Sequence, residues 1–317
     1  MIYDTIIIGA GPAGVAAGIY TSRREMKTLI ISREVGGQLT IAGDIENYPG
    51  FDSIGNLELI KRFEDNIKAA GIELVLAEVK QIAKAEGLFQ VYTEKDMYTA
   101  KTIIIAMGLI PKRLAIVGEE KFMGKGVSYC ANCDGPFFKG KTVAVIGGGN
   151  SALDAAEVMS KIAAKVYLIH RNQDFRGFES LVEQIKERPN IEILLNSEVK
   201  EIIGESKVEK IIVNNRVSNE TQEVEINGLF IEIGRIASTD IFSELVKRDE
   251  WAQIVVDEKC NTSESGVFAA GDVTQVEFKQ ITIATGQGTI AALTAYQYLQ
   301  QQQGKQVKVF DRSIKKS

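Results

Sequence analysis

Cysteine and histidine are scarce. Cys130, Cys133 and Cys260 are the three cysteines of the 317 residues, and His170 is the one histidine. A structural zinc site takes four ligands, usually two cysteine pairs or cysteines with histidines, and this set does not supply them. No metal site is therefore expected. Long apolar runs are also missing. Stretches such as TIIIAMGLI, residues 102–110, are strand-sized and fall short of the roughly 18 residues of a membrane span. Positive charge is in short supply: 37 Lys and Arg against 42 Asp and Glu leave a net charge of -5. That balance argues against a face built to hold nucleic acid. The basic C-terminal stretch DRSIKKS is expected to be solvated. The opening MIYDTIIIGAG lacks a basic segment followed by a cleavable apolar one and begins directly on a strand, so a cytoplasmic protein is expected. In that compartment thiols stay reduced, which weakens a permanent disulfide as the reading of the close pair Cys130 and Cys133.

What the chain does have is a repeat. IIIGAGPAGVAAGIYTSRREMKTLIISRE, from Ile6, is echoed by VAVIGGGNSALDAAEVMSKIAAKVYLIHRN, from Val143. Each copy runs apolar strand, glycine-rich turn, small-residue helix and second strand, the layout of a dinucleotide-binding βαβ unit. In the first copy Gly9, Gly11 and Gly14 serve the tight turn, the approach to a pyrophosphate and helix-to-strand packing, and Pro12 fits the opening of the helix. In the second, Gly147, Gly149 and Ala152 take those places. The residue that should meet the adenosine ribose lies about 20 positions beyond the fingerprint, at Glu34 and at Asn172. Glu34 can accept from an unphosphorylated ribose, as in FAD or NAD; a solvated surface Glu is the plain alternative. Asn172 repels no 2′-phosphate, and Arg171 and Arg176 stand close enough in sequence to pair with one, which favours NADPH over NADH. Downstream, SGVFAAGDVTQ reads as a strand ending in Gly271 and Asp272, followed by a helix that starts near Gln280. A carboxylate there can hold a sugar hydroxyl, and a helix N-terminus can stabilise negative charge on a reduced flavin.

The C-x-x-C pair suits reversible redox chemistry, because one thiol of such a pair often has a lowered pKa. Asp134, directly after Cys133, is the nearest acid-base candidate; capping a helix or turn is its ordinary alternative. Cys260, in the polar stretch DEKCNTSESG, is expected to be a free structural thiol.

In order along the chain, GAGPAG, GGQL, ENYPGF, CANCDG, GGGNSA, HRNQDFRG and AAGDV resemble the low-molecular-weight thioredoxin reductases over roughly residues 2–300, and CDGPFF is also similar to the flavoprotein subunit of alkyl hydroperoxide reductase. The resemblance implies an α/β fold of two Rossmann-like, three-layer ββα domains. An FAD domain is made of residues 1–111 and 240–317, with a nicotinamide domain, residues 112–239, inserted between. It implies FAD contacts from Gly9, Gly11, Pro12, Ala13 and Gly14, from Arg33 and Glu34, from Gly36, Gly37, Gln38, Leu39 and Asn47, and from Gly108. Gly271, Asp272, Lys279, Gln280 and Ile281 complete that set. Gly149, Asn150, Ser151 and Ala152 are implied to hold NADPH, with His170, Arg171 and Arg176 beside them. Electrons would pass from NADPH through FAD to the Cys130–Cys133 disulfide, Cys133 facing the flavin, Cys130 attacking the partner disulfide and Asp134 moving the proton. The implied partner is thioredoxin or a thioredoxin-like or glutaredoxin-like protein, and the implied assembly a homodimer. One disulfide must meet both flavin and partner, so the inserted domain is expected to rotate about GLIPKRL and GRIASTD, where Gly108, Pro111 and Gly234 define bends.

The chain departs from the pattern in three places: Met107 for the usual Thr, Lys279 for Arg, and Asn172 for a second Arg. The last leaves NADH, or reduced ferredoxin, as an alternative donor. Other readings are a reductase serving a glutaredoxin-like or peroxiredoxin system, and a non-catalytic flavin redox sensor.

Overall fold

The computed structural model describes residues 1–41, Ile41 by its backbone, and 44–305. The basic stretch at residues 311–317, and with it the end of the expected 240–317 segment, lies outside the described residues. Two compact units form. One comprises Met1–Thr40, Asp44–Leu109 and the described chain from Ala237 to Lys305; the other holds Ile110–Ile236.

The first unit starts on β1 (Ile2–Ala10), whose Ile6, Ile7 and Ile8 are all buried, as expected for a strand covered on both faces. Helix α1 (Pro12–Arg23) follows at once, with proline in its first turn. Strand β2 (Thr28–Val35) returns parallel to β1, Thr5 opposite Thr28. Helix α2 (Asn56–Ala69) buries Leu59, Ile60, Phe63 and Ile67, one face at helical spacing, and pairs Glu58 with Arg62 on its exposed side. Strand β3 (Glu73–Leu76) joins β2 in parallel, and β4 (Gln81–Ala85), β5 (Leu88–Tyr92) and β6 (Met97–Ile105) form an antiparallel meander. From Thr99 to Ile105 β6 runs parallel to β1, giving the sheet order β3-β2-β1-β6-β5-β4.

The second unit is entered at Ile110–Pro111, which pairs antiparallel with Arg235–Ile236 where the chain leaves. Its elements are β7 (Val127–Ser128), α3 (Ala131–Asp134), β8 (Thr142–Ile146), α4 (Asn150–Ser160), β9 (Lys165–Ile169), α5 (Glu179–Lys186) and β10 (Ile191–Leu194). A three-stranded meander, β11 (Ser197–Ile203), β12 (Lys210–Asn215) and β13 (Thr221–Glu225), precedes β14 (Gly228–Ile231). The parallel sheet has the order β7-β14-β8-β9-β10. Alternation along β8 makes the layers: Val143 and Val145 enter a core with Leu153, Ala156 and Met159 of α4, while Ala144 and Ile146 enter another with Val199, Ile202, Ile211 and Val213 of the meander. Meander, parallel sheet and helices are the three ββα layers.

Back in the first unit, β15 (Val267–Ala269) pairs with Ile103–Ile105 of β6, and the long helix α6 (Ile281–Gln302) packs on α1. Ile6, Ile8, Ile31, Ile103 and Val267 share one core with Phe89 and Val91, while Ile30 turns toward Gly18 of α1. Among the described residues no helix is long and apolar enough to cross a membrane.

Candidate active site

In the first unit, strand and helix meet on bare backbone. Gly9 has φ +108°, and a Cβ there would lie 2.7 Å from the Ala106 carbonyl carbon; one on Gly14 would lie 2.9 Å from the carbonyl carbon of Gly9. Real Cβ atoms do not come that close, so only glycine closes this turn. Gly11 is the N-cap of α1 and offers no side-chain acceptor, so the first-turn N–H groups of Ala13 and Gly14 are left for an anion at the positive end of the helix. The Gly36 N–H donates to the Ala10 carbonyl (2.9 Å), which brings Gly36 and Gly37 beside Gly11.

Two side-chain bonds then join segments far apart in sequence. Gln38 Nε2 donates to Asp272 Oδ2 (2.6 Å), and Asn47 Nδ2 donates to Gln280 Oε1 (3.2 Å). Gln280 is the N-cap of α6 and Ile281 its first residue; Leu39 is buried, and Gly108 approaches the Gln38 amide. Lys279 is spent on structure, its Nζ donating to Gln253 Oε1 (2.6 Å) and to the carbonyls of Asp272 (3.0 Å) and Thr274 (2.6 Å). Burial holds its pKa below the usual lysine value. Glu34 is exposed beyond the buried part of β2, and Arg33 forms an ion pair with Glu78. Met107, in the place of the usual Thr, packs against the sheet core. A glycine turn for pyrophosphate, an acid at the second strand and a carboxylate beside a helix start fit a flavin dinucleotide.

The second unit repeats the device. At Gly147 a Cβ would lie 3.0 Å from the Glu232 carbonyl carbon and 2.6 Å from Ala152, whereas nothing comes within 4 Å of one on Gly149, the N-cap of α4. Asn150 Oδ1 accepts from the Phe178 N–H (2.8 Å), holding the segment at Gly177 over the helix start, and Ser151 is exposed. His170 is 6% exposed, stacks on Phe175 and packs against Gly148; its Nε2 lies 3.0 Å from the Asp174 carbonyl. Burial, then the charges of Arg176 and Arg171, lower its pKa, so it supports the turn as a neutral ring. Arg171 and Arg176 are exposed at the end of β9; the Arg176 N–H donates to the Gly148 carbonyl (2.7 Å). Arg216 joins them from the tip between β12 and β13, Nη1 donating to the Arg171 carbonyl (3.2 Å), while the Asn172 carbonyl accepts from the Asn196 N–H (3.1 Å). The open helix start with nearby guanidinium groups fits a phosphorylated nicotinamide dinucleotide.

Cys130 and Cys133 are joined by a disulfide across the short helix α3, their Cα atoms 5.4 Å apart. Cys130 is the N-cap, and its Sγ accepts from the Cys133 N–H (3.0 Å), an arrangement that favours the thiolate once the bond opens. Cys133 is exposed and Cys130 buried. Asp134 follows, its carboxylate making no capping bond to the 3₁₀ turn Gly135–Phe138. Before the pair, Tyr129 OH donates to the buried Glu119 (2.6 Å), which also accepts from the N–H groups of Leu114 (3.0 Å) and Ala115 (2.6 Å). Burial, aided by Glu119, keeps Tyr129 a neutral phenol. A cavity of about 180 Å³ opens beside Cys130, lined among others by Tyr129, Asn132, Asp154, Glu232 and Arg235.

The family model for the pyridine nucleotide-disulphide oxidoreductases matches residues 3–288. The chain belongs to this family. It is 38% identical over 304 residues to the thioredoxin reductase of Bacillus subtilis, covering 95% of this chain and 96% of the relative. Among solved structures it is similar to Lactococcus lactis thioredoxin reductase, with 37% identity, a TM-score of 0.85 and coverage of 94% and 99% of the two chains. It is also similar to a ferredoxin-flavin thioredoxin reductase from Clostridium acetobutylicum, with 32% identity, a TM-score of 0.53 and coverage of 95% and 99%. The branch is that of the low-molecular-weight thioredoxin reductases, whose cofactors are FAD and NADPH.

Within this pyridine nucleotide-disulphide oxidoreductase, Cys260 is the odd thiol. It is buried, its Sγ reaches toward the Gln287 carbonyl (3.5 Å), and burial pushes its pKa up to about 12. The reduced native protein is expected to take up two carbamidomethyl groups from iodoacetamide at pH 8, and a third only after unfolding; three in the native state would contradict that environment. Residues that pattern reading passed over also hold the site. Gln287 Oε1 accepts from the Gly271 N–H (2.8 Å), Gly288 sits where α6 meets Ala13, and Glu119, Arg216 and Glu232 frame the second unit. Glu119 stands out only once the fold shows its carboxylate to be buried; all of them depend on contacts between segments that sequence spacing does not report.

Proposed function

We propose that the chain is an NADPH-dependent, FAD-containing reductase of the disulfide in thioredoxin or a thioredoxin-like or glutaredoxin-like protein. The observation that carries this reading is the Cys130–Cys133 disulfide, set on the same unit as a dinucleotide-binding turn, with the Cys130 sulfur at a helix N-cap. A homodimer, which rests on the resemblance, and a cytoplasmic location belong to the same proposal.

In this reading Gly9, Gly11, Ala13 and Gly14 hold the pyrophosphate of FAD, Glu34 its ribose, and Gly36, Gly37, Gln38, Leu39 and Asn47 with Gly271, Asp272, Gln280 and Ile281 its remainder. Gly149, Asn150, Ser151 and Ala152 hold NADPH, with Arg171 and Arg176 at its 2′-phosphate. Bound FAD supplies acceptance of a hydride and delivery of two electrons to a disulfide. The exposed Cys133 is the sulfur that accepts attack, and opening the bond leaves Cys130 as the thiolate stabilised by the Cys133 N–H. Cys130 then attacks one sulfur of the partner disulfide and expels the other as thiolate. Cys133 attacks Cys130 in the mixed disulfide, which restores the Cys130–Cys133 bond and releases the second partner thiol. Asp134, next to Cys133, carries the proton that the leaving thiolates need.

Anaerobic addition of NADPH to the purified yellow protein is expected to bleach the flavin stoichiometrically, with NADH less effective. No bleaching by either nucleotide, together with bleaching by reduced ferredoxin, would replace the donor with the one named for the Clostridium acetobutylicum structure. Arg176→Ala is expected to raise KM for NADPH about 10-fold, the effect of losing one charge-assisted contact of roughly 1.4 kcal/mol, and to leave KM for NADH unchanged. Equal effects on both would remove the arginine from the 2′-phosphate site.

A further inference from the structure

Glu232 stands directly after β14, at the carboxyl edge of the parallel sheet, its N–H donating to the Ile146 carbonyl (2.8 Å). In α/β sheets that edge is where chemistry gathers. The Glu232 carboxylate accepts from the N–H of Ala131, a residue between the two cysteines, and Glu232 and Cys130 line the same cavity of about 180 Å³. The charged groups lining that cavity are Asp154 from α4, Arg235 and Glu232 itself; Tyr129 is neutral. Burial first, and Asp154 next, push the Glu232 pKa up to about 7, against Arg235 and the Ala131 N–H, which pull it down.

We propose that Glu232 couples a proton to the dithiol: reduction of the Cys130–Cys133 disulfide tightens proton binding at Glu232, and a charged Glu232 makes the dithiol a stronger reductant. The inference rests on the reading that this disulfide turns over. Two electrons and one proton convert the disulfide into a Cys130 thiolate and a Cys133 thiol. The new negative charge shares a cavity with the Glu232 carboxylate, repels its charged form and so raises its proton affinity. Linkage makes the effect reciprocal: whatever the thiolate does to the carboxylate, the carboxylate does to the thiolate. Below about pH 6 the carboxyl is neutral in both redox states and contributes nothing. Above pH 8 it is charged in the oxidised state and disfavours reduction. Glu232 is thus a positioning residue, acting through Ala131 and through its field at Cys130.

The test is a redox equilibrium of the holoenzyme with dithiothreitol buffers at pH 6 and pH 8.5, quenched in acid, alkylated and read by mass at Cys130 and Cys133. Glu232→Gln keeps an acceptor for the Ala131 N–H but loses the charge. It is expected to shift the dithiol/disulfide equilibrium about 10-fold toward dithiol at pH 8.5, about 30 mV for a two-electron couple, and less than about 2-fold at pH 6. Glu232→Ala should behave like Glu232→Gln, and Glu232→Asp like the wild type. A shift of the same size at both pH values, or none at either, overturns the coupling and leaves the proposed function standing. A wild-type pair that cannot be titrated at all overturns both.

Discussion

Replacing Cys133 with serine is expected to lower the rate of thioredoxin reduction on the order of 1,000-fold or more, the scale on which loss of an essential thiol acts, while bleaching of the flavin by NADPH persists. The glycine turns at Gly9 to Gly14 and at Gly147 to Gly149 are both untouched by the change, so the flavin and its reduction remain. The serine hydroxyl neither forms a disulfide nor resolves one, so electrons have no route to a protein partner. The variant should also discriminate between the two sulfurs. Cys133→Ser leaves the Cys130 thiolate beneath the N–H of residue 133, free to attack a partner disulfide but with no neighbour to release it. A covalent complex with thioredoxin should therefore accumulate, visible on a non-reducing gel and absent for Cys130→Ser. Equal turnover by the wild type and Cys133→Ser would sink the conduit; trapping by Cys130→Ser instead would exchange the roles of the two sulfurs.

Gly288→Val is expected to strip the protein of flavin without touching any residue that the sequence motifs mark. Helices α1 and α6 pack backbone to backbone at this point: a Cβ on Gly288 would lie 2.8 Å from the Ala13 carbonyl carbon and 3.0 Å from its Cα. Backbone cannot yield as a flexible side chain can, so the helices must separate. Ala13 is in the first turn of α1, and the displacement reaches the anion cradle directly. Overpacking of this kind costs about 3 kcal/mol, which for a unit of this size corresponds to a fall of roughly 6–12 °C in the midpoint of unfolding. The bound-flavin absorbance of the purified variant should fall with it. Gly286, two residues earlier, has nothing within 4 Å of a Cβ, and Gly286→Ala should keep both flavin and midpoint. Full flavin and an unchanged midpoint in Gly288→Val would show that the contact between the helices does not hold the anion cradle in place.

Much of the fold was legible in the residues because buried parallel strands leave a strong trace. IIIGA, TLIIS, TIIIA, TVAVI and KVYLI are apolar almost throughout, as strands covered on both faces must be, and the strand-turn-helix repeat located the two nucleotide units. The disulfide lies in CANCDG, where the spacing of Cys130 and Cys133 pointed, while the short helix across it comes only from the structure. Residue types whose side chains act across the sequence were harder to read. Lys279 looks like a ligand from its motif, but its ammonium is consumed by two carbonyls and an amide. The Asn150 side-chain oxygen likewise accepts from the Phe178 N–H, and His170 packs against Gly148 from outside the turn. Gly288, inside a helix, reads as a mild destabiliser until α1 is laid against it. Glu232 follows a strand like any other polar residue, and only burial beside Asp154 changes its chemistry.

The division of the first unit into two stretches of chain has a consequence for how the protein is made. Strand β6 is complete at Ile105, yet the strand that covers its second edge begins at Val267, and the helix that packs on α1 only at Ile281. At ordinary rates of synthesis the intervening chain takes roughly 10–30 s to emerge. During that time the inserted unit, which is continuous in sequence, can complete its own core, while the N-terminal half-sheet waits with one edge unpaired. Flavin capture therefore comes last, after nearly the whole polypeptide has left the ribosome. A nascent chain stalled before Val267 should carry a folded dithiol unit and no cofactor, exposed to aggregation along β6.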